Sequence, residues 1–218
     1  MMRNTREEAR RTRERLLDAA IAVFSAHGVA RPSLSELGER IGMTRGAVYV
    51  HFRNKVDVLI GLFERERFPW HAIGTSANEA AGRDALQALR VALVELLRYA
   101  SATPKRVRTL NLLFHKVELS SENARLVRRL RAAKEEGDQR IGQLLALAAK
   151  QRRVRLDLDI ALATRFVATG INGAIWNWSF EPAAFDIAAD AERVVDALLL
   201  PVCRGDCLSR RTRGRLLR

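Results

Sequence analysis

Arg45, Tyr49 and His51 stand close together in the sequence, with Thr44 just before them and Gly46 and Ala47 in between. A guanidinium, a phenol and an imidazole are hydrogen-bond donors of the kind that recognise phosphate oxygens and base edges of nucleic acid. The two small residues among them leave room for a backbone to come close to its partner. For Arg45, Gly46 and Tyr49 to act together they must share the outer face of one element whose inner face is occupied by packing.

The flanking residues supply such an element. Ser33 and Glu36 are spaced as a helix-capping box, and Leu34, Leu37 and Ile41 return on one helical face before Gly42 stops the pattern. Thr44 is placed to cap a second short helix, in which Ala47, Val48 and Phe52 pack inward and Arg45, Gly46 and Tyr49 remain on the exposed side. A helix with so little packing on its outer face fits a major groove. An ordinary helical hairpin gives a similar local pattern. The preceding stretch, with Arg3, Arg6, Arg10, Arg11, Arg13 and Arg15, adds a basic arm that an ordinary hairpin does not require.

The chain of 218 residues is rich in alanine, leucine and arginine and poor in proline, a composition that favours helices, and it has no alternating strand series. No apolar run is long enough to cross a bilayer, and the basic start is not followed by the apolar stretch of a secretory signal, so a cytoplasmic location is expected. The net charge is +13, yet residues 98–155 carry +10 of it and residues 156–202 carry −5, while residues 1–68 carry +4. Excess charge therefore favours a polyanionic partner without locating it. Cys203 and Cys207 lack the further ligands of a zinc set and read as two unpaired thiols. The four histidines are scattered, no glycine-rich phosphate loop follows a strand, and no local carboxylate pair is poised for acid–base work; catalytic, metal and cofactor sites are not expected.

Helical spacing predicts a first helix over 7–26, ended by Gly28, and a helix after Asn54 with Val58, Leu59, Leu62 and Phe63 inward. Residues 74–82 read as a flexible connection. Further helices are expected over 83–100, 105–117, 122–149 and from Asp157 or Asp159 to about 180, with a break at Pro182 and a last amphipathic helix carrying Ala191, Val194, Val195, Leu198 and Leu199. The last two helices are suited to meet the same pair of a second copy: Gly170, Gly173 and Ala174 permit close approach, and Leu162, Phe166, Val195, Leu198 and Leu199 supply apolar area. A monomer would bury that face internally. Two-fold symmetry favours the dimer, because it sets two reading helices on two half-sites.

The run from Thr44 through Tyr49 and on through His51, Phe52, Arg53, Asn54 and Lys55 resembles the TetR family of transcriptional repressors, in particular the AcrR-type subgroup associated with multidrug efflux. The resemblance is specific over about 10–60 and looser in the body, where it rests on residues 111–115 and 170–178. It implies an all-α, nine-helix homodimer with an N-terminal helix-turn-helix head over 1–60, a connecting helix to about 72, an effector-binding and dimerisation body over 73–203 and a basic tail over 204–218. Carried onto this chain, it makes Arg45 a base or phosphate contact, lets Gly46 bring the backbone near the duplex, sets Ala47 at a thymine methyl and assigns phosphates to Tyr49 and His51. Thr44 caps that helix, Ser33 and Ser35 meet the opposite backbone, and Lys55 adds a charge. Ala47 departs from the threonine frequent in the motif, which removes a hydroxyl contact.

The implied partners are double-stranded operator DNA, a second copy of the chain and a small hydrophobic or cationic inducer, with no membrane and no cofactor. Asn111, Phe114, His115, Glu118, Phe166, Asn172, Trp176, Asn177 and Trp178 are the candidate inducer contacts. Trp176 and Trp178, two apart, cannot share one helical face. Glu118, if buried, would select a cation. Control of a metabolic or stress operon, or an architectural DNA-binding role without an effector, are the alternatives to efflux control.

Overall fold

The computed structural model describes residues 2–66 and 84–204, with side chains from Arg6 onward. The expected connection over 74–82, the stretch 67–72, Cys207 and the tail over 205–218 lie outside the described residues. Among the described residues the protein is all-α, with nine α-helices, one 3-10 turn at Ser121–Asn123 and one isolated antiparallel bridge between Val154 and Cys203. Two compact units are formed, one by residues 2–66 with 104–130 and the other by 84–103 with 131–204.

In the first unit α1 (Met2–His27) buries Leu16, Leu17, Ala20, Ile21 and Phe24, the spacing of one helical stripe. It ends where Gly28 takes φ +75° and its N–H donates to the Phe24 carbonyl. The capping box opens α2 (Leu34–Glu39): Ser33 Oγ accepts from the Glu36 N–H at 3.2 Å and the Glu36 carboxylate accepts from the Ser33 N–H at 2.5 Å. This helix stops earlier than the apolar spacing suggested, at Glu39, and Ile41 sits in the turn with its N–H on the Gly38 carbonyl. Gly42, at φ +73°, provides the left-handed residue that the turn needs. Thr44 caps α3 (Arg45–His51), and Asn54 caps α4 (Lys55–Arg65) by accepting from the Asp57 N–H at 2.9 Å. These helices share a core with Leu112 and Leu113 of α6 (Pro104–His115) and with Leu126.

In the second unit Asp84 caps α5 (Ala85–Ser101), accepting from the Leu86 and Gln87 N–H groups. The helix α7 (Ala124–Lys150) contributes its residues up to Leu130 to the first unit and the rest to the second. Of the two candidate caps, Asp159 opens α8 (Ile160–Phe180), whereas Asp157 pairs with Arg155. The last helix, α9 (Ala191–Leu199), packs against α5 and α8 through Val195 and Leu199. Its Asp196 is buried and holds Arg90 of α5. No helix among the described residues is long and apolar enough to cross a membrane.

Candidate nucleic-acid interface

Two inward residues anchor α3. Val48 is fully buried and Phe52, its C-cap, is nearly so; both join the core of the first unit. Arg45, Gly46 and Tyr49 are exposed, and so is Val50, at 81%. On a helix the pairs 45/49 and 46/50 are vertical neighbours, so these four residues make one outward face. The Arg45 guanidinium carbon lies 5.6 Å from the Tyr49 ring centroid, a cation–π contact that holds both groups at the rim of that face. Gly46 has open space around it, and Ala47 is half-buried between the two sides. Val50 is a face residue beyond those expected from the sequence, and its four-residue spacing from Gly46 is the signal that places it there.

The remaining candidates fall into supporting and outward positions. Thr44 and Ser33 are exposed with their oxygens engaged as helix caps, and Ser35 is half-buried in the first turn of α2. The Lys55 ammonium donates to the carbonyls of Val29 at 2.9 Å and Ala30 at 2.5 Å, closing the turn that follows α1. Arg15 similarly reaches the Ile41 carbonyl at 3.0 Å and pins the α2–α3 turn. Gly38 joins the site beyond the residues expected from the sequence: a Cβ there would stand 2.3 Å from Val48 Cγ2 and 3.2 Å from the Met43 carbonyl oxygen. Its lack of a side chain is what lets α2 and α3 pack this closely.

His51 is half-buried, and burial, followed by the nearby Arg13 charge, lowers its pKa below the ordinary imidazole value. The folded head therefore favours neutral imidazole, while the unfolded chain takes up a proton as pH falls past about 6.5. This contribution to stability is fully present above that pH and is lost as pH drops below it. We expect the acid destabilisation between pH 7.5 and 5.5, followed by thermal unfolding, to be smaller in His51→Gln. Identical pH profiles would remove this role.

The candidate inducer residues are spread over two units. In the first, Asn111, Phe114 and His115 are half-buried on α6, with the Phe114 and His115 rings edge-on at 6.4 Å. Glu118 follows the helix and is exposed, so the condition of burial that would make it cation-selective is not met. In the second, Trp178 is buried at 4% exposure, while Trp176 is 48% exposed and stacks on Phe180 with the rings 5° from parallel. Asn172 is half-buried, and Asn177 is exposed and donates to the Gly173 carbonyl.

Of the proposed dimer residues, Leu162, at 63% exposure, and Phe166 point outward on α8, and a Cβ at Gly173 would meet nothing. Val195 and Leu199 are buried within the single chain, Ala174 and Leu198 are half-buried, and Gly170 faces Leu198. Among the described residues no group of three or more His, Cys, Asp or Glu side chains could hold a metal ion.

Residues 16–62 match the model of bacterial regulatory proteins of the tetR family, and residues 84–202 match the C-terminal region of MAATS-type transcriptional repressors. The chain belongs to the TetR family of transcriptional regulators. It is 31% identical to the HTH-type transcriptional regulator AcrR of Shigella flexneri over 91% of this chain and 93% of that protein. Among solved structures, it resembles NalD, the secondary repressor of the MexAB-OprM multidrug efflux pump in Pseudomonas aeruginosa, with a TM-score of 0.82 at 26% identity over 91% of this chain and 99% of that one. It also resembles SmeT, the repressor of the Stenotrophomonas maltophilia multidrug efflux pump SmeDEF, solved with triclosan, with a TM-score of 0.77 at 28% identity over 91% and 94% of the two chains. This TetR-family chain is thus related to the AcrR-type efflux repressors, and its family is one of DNA-binding regulators, not of enzymes.

Proposed function

We propose that this protein is a ligand-responsive repressor that binds a two-fold operator as a homodimer, controls a multidrug-efflux operon in the cytoplasm and is released by a small hydrophobic or cationic compound. The observation that carries this reading is the outward face of α3, where Arg45, Gly46, Tyr49 and Val50 stand exposed while Val48 and Phe52 hold the helix from behind. Arg45 reads a base edge or a phosphate, Val50 and Ala47 offer apolar contact to thymine methyl groups, and Tyr49 and His51 donate to phosphates. Ser33, Ser35 and Thr44 line the approach of the opposite backbone. Lys55 acts at one remove, by closing the turn after α1.

The exposed apolar residues Leu162, Phe166 and Trp176 on α8, with open space at Gly173, support pairing with a second copy, while Val195 and Leu199 are buried within the protomer. Aromatic and amide groups on α6, namely Asn111, Phe114 and His115, are suited to an aromatic inducer. Efflux control rests on the likeness to AcrR, NalD and SmeT, and the triclosan complex of SmeT suggests the chemistry of a first inducer to try.

The test is recovery of the bound duplex from random DNA fragments, repeated with triclosan, dyes and antibiotics. A two-fold sequence occupied by two chains and lost with one compound is the expected outcome. Recovery of no defined sequence would sink the proposal. On the recovered duplex, Arg45→Ala should cost about 1–3 kcal/mol of discrimination if it reads a base, or weaken specific and random duplexes alike if it holds a phosphate. Unchanged affinity for both would exclude each role.

A further inference from the structure

The inner face of α1 changes character along its length. From Leu16 onward it is apolar and buried, whereas Arg6, Arg10 and Arg13 occupy nearly the same helical face ahead of it. At 1.5 Å rise per residue, Arg6 stands about 15 Å along the axis from Leu16. Nothing described from α2, α3 or α4 buries Arg6, Arg10 or Arg11, and all three are exposed.

The next residues fix where this cationic stretch points. Arg13 lies with its guanidinium carbon 5.1 Å from the centroid of the Phe52 ring, at the end of α3, and Gly61 leaves the space that admits it: a Cβ there would stand 2.9 Å from Arg13 Nη2. Arg15 holds the Ile41 carbonyl in the α2–α3 turn. α1 is thus tied to both ends of α3, at the C-cap Phe52 and at the α2–α3 turn, and the turns ahead of Arg13 extend beyond those contacts. Within that projection Glu7 bonds Arg10 through both carboxylate oxygens, at 2.7 and 3.0 Å, and Arg11 at 3.2 Å. Those two arginines hold the Glu7 carboxyl down to about 2, so it is charged at every working pH.

We propose that the first turns of α1 form a helical clamp on the sugar–phosphate backbone beside the groove read by α3, with Arg6, Arg10 and Arg11 as the phosphate contacts and Glu7 as an internal competitor that weakens the clamp. The occupant is duplex DNA because the stretch is cationic, exposed and anchored to the reading helix; its three arginines outnumber the two carboxylates, Glu7 and Glu8, among residues 6–11. This inference rests on the DNA-binding reading proposed above. It adds affinity without sequence preference, since phosphate contacts carry no base information.

The experiment compares full-length wild type, the triple variant Arg6→Gln/Arg10→Gln/Arg11→Gln and Glu7→Gln on two probes: the duplex recovered by the wild type and a random-sequence duplex, each across a salt series. Each lost phosphate contact should reduce the slope of log affinity against log salt by about 0.9. The triple variant is therefore expected to show a slope shallower by about 2–3 and weaker binding to both probes in equal proportion, with its discrimination between them unchanged. Glu7→Gln should bind both probes more tightly. An unchanged slope in the triple variant, with thermal unfolding like the wild type, overturns the clamp, as does weaker binding by Glu7→Gln. If the wild type recovers no defined duplex, the operator reading fails, while the random-duplex arm still decides the clamp.

Discussion

Asp196→Ala is expected to destabilise the protein by about 3–5 kcal/mol, the cost of removing one partner from a buried ion pair. Asp196 is 3% exposed on α9 and takes the Arg90 guanidinium in a two-pronged grip, Nε to Oδ1 at 2.5 Å and Nη2 to Oδ2 at 3.0 Å. Glu192, one turn earlier, extends the pair by bonding Arg90 at 3.4 Å and Arg98 at 2.9 Å. That extension is exposed and adds little, because water screens it. Among the described residues, loss of Asp196 leaves the partly buried Arg90 with the longer contact to Glu192, so the charge stays desolvated with its best partner gone. Replacing both members with apolar residues, Arg90→Met with Asp196→Leu, should recover most of the loss, since such pairs often exchange with packed hydrophobes at little cost. Chemical denaturation checks both variants. A loss below about 1 kcal/mol in the single variant would place the pair among ordinary surface contacts.

The second large effect is expected at Gly38. A methyl group there meets Val48 Cγ2 at 2.3 Å, and Val48 is fully buried with one stiff side-chain torsion and no space to retreat. Gly170 provides an internal comparison, because a methyl group there also stands 2.3 Å from its neighbour, Leu198 Cδ2. In that case the neighbour is the far end of a flexible, half-buried side chain that swings away. Both substitutions gain about 0.5–1 kcal/mol from replacing a helical glycine, so the difference between them isolates packing. Gly38→Ala should cost about 1–3 kcal/mol through overpacking and displace α3 from α2, reducing affinity for the recovered duplex. Gly170→Ala should be near neutral. Equal unfolding free energies for the two variants would overturn this account.

These two sites show where sequence reading ends. Capping by Ser33 with Glu36, by Thr44 and by Asn54 is legible because donor and acceptor lie within a few residues, and each is present in the structure. Arg90 and Asp196 are separated by more than a hundred positions, and nothing in their local contexts announces the pair. The same holds for Lys55, which reads as a free charge and instead closes a turn some 25 residues upstream. The clearance at Gly38 depends on how closely two helices cross, which apolar spacing does not encode. Nor does sequence order show that α6 shares the core of the N-terminal helices through Leu112 and Leu113. On α3 itself most of the outward face is legible from helical spacing, and Val50, 81% exposed, completes it one turn after Gly46.

The seven residues of α3 are too few to hold a helix in water unaided. Its shape is borrowed from a threonine at one end, and from Val48 and the following Phe52, which the core grips. Arg45, Gly46, Tyr49 and Val50 take no part in that grip, so they form a separately mutable alphabet. On the DNA-reading role proposed for this face, changes at those four positions alter operator preference while stability stays nearly constant, so two chains of equal stability need not read the same sequence.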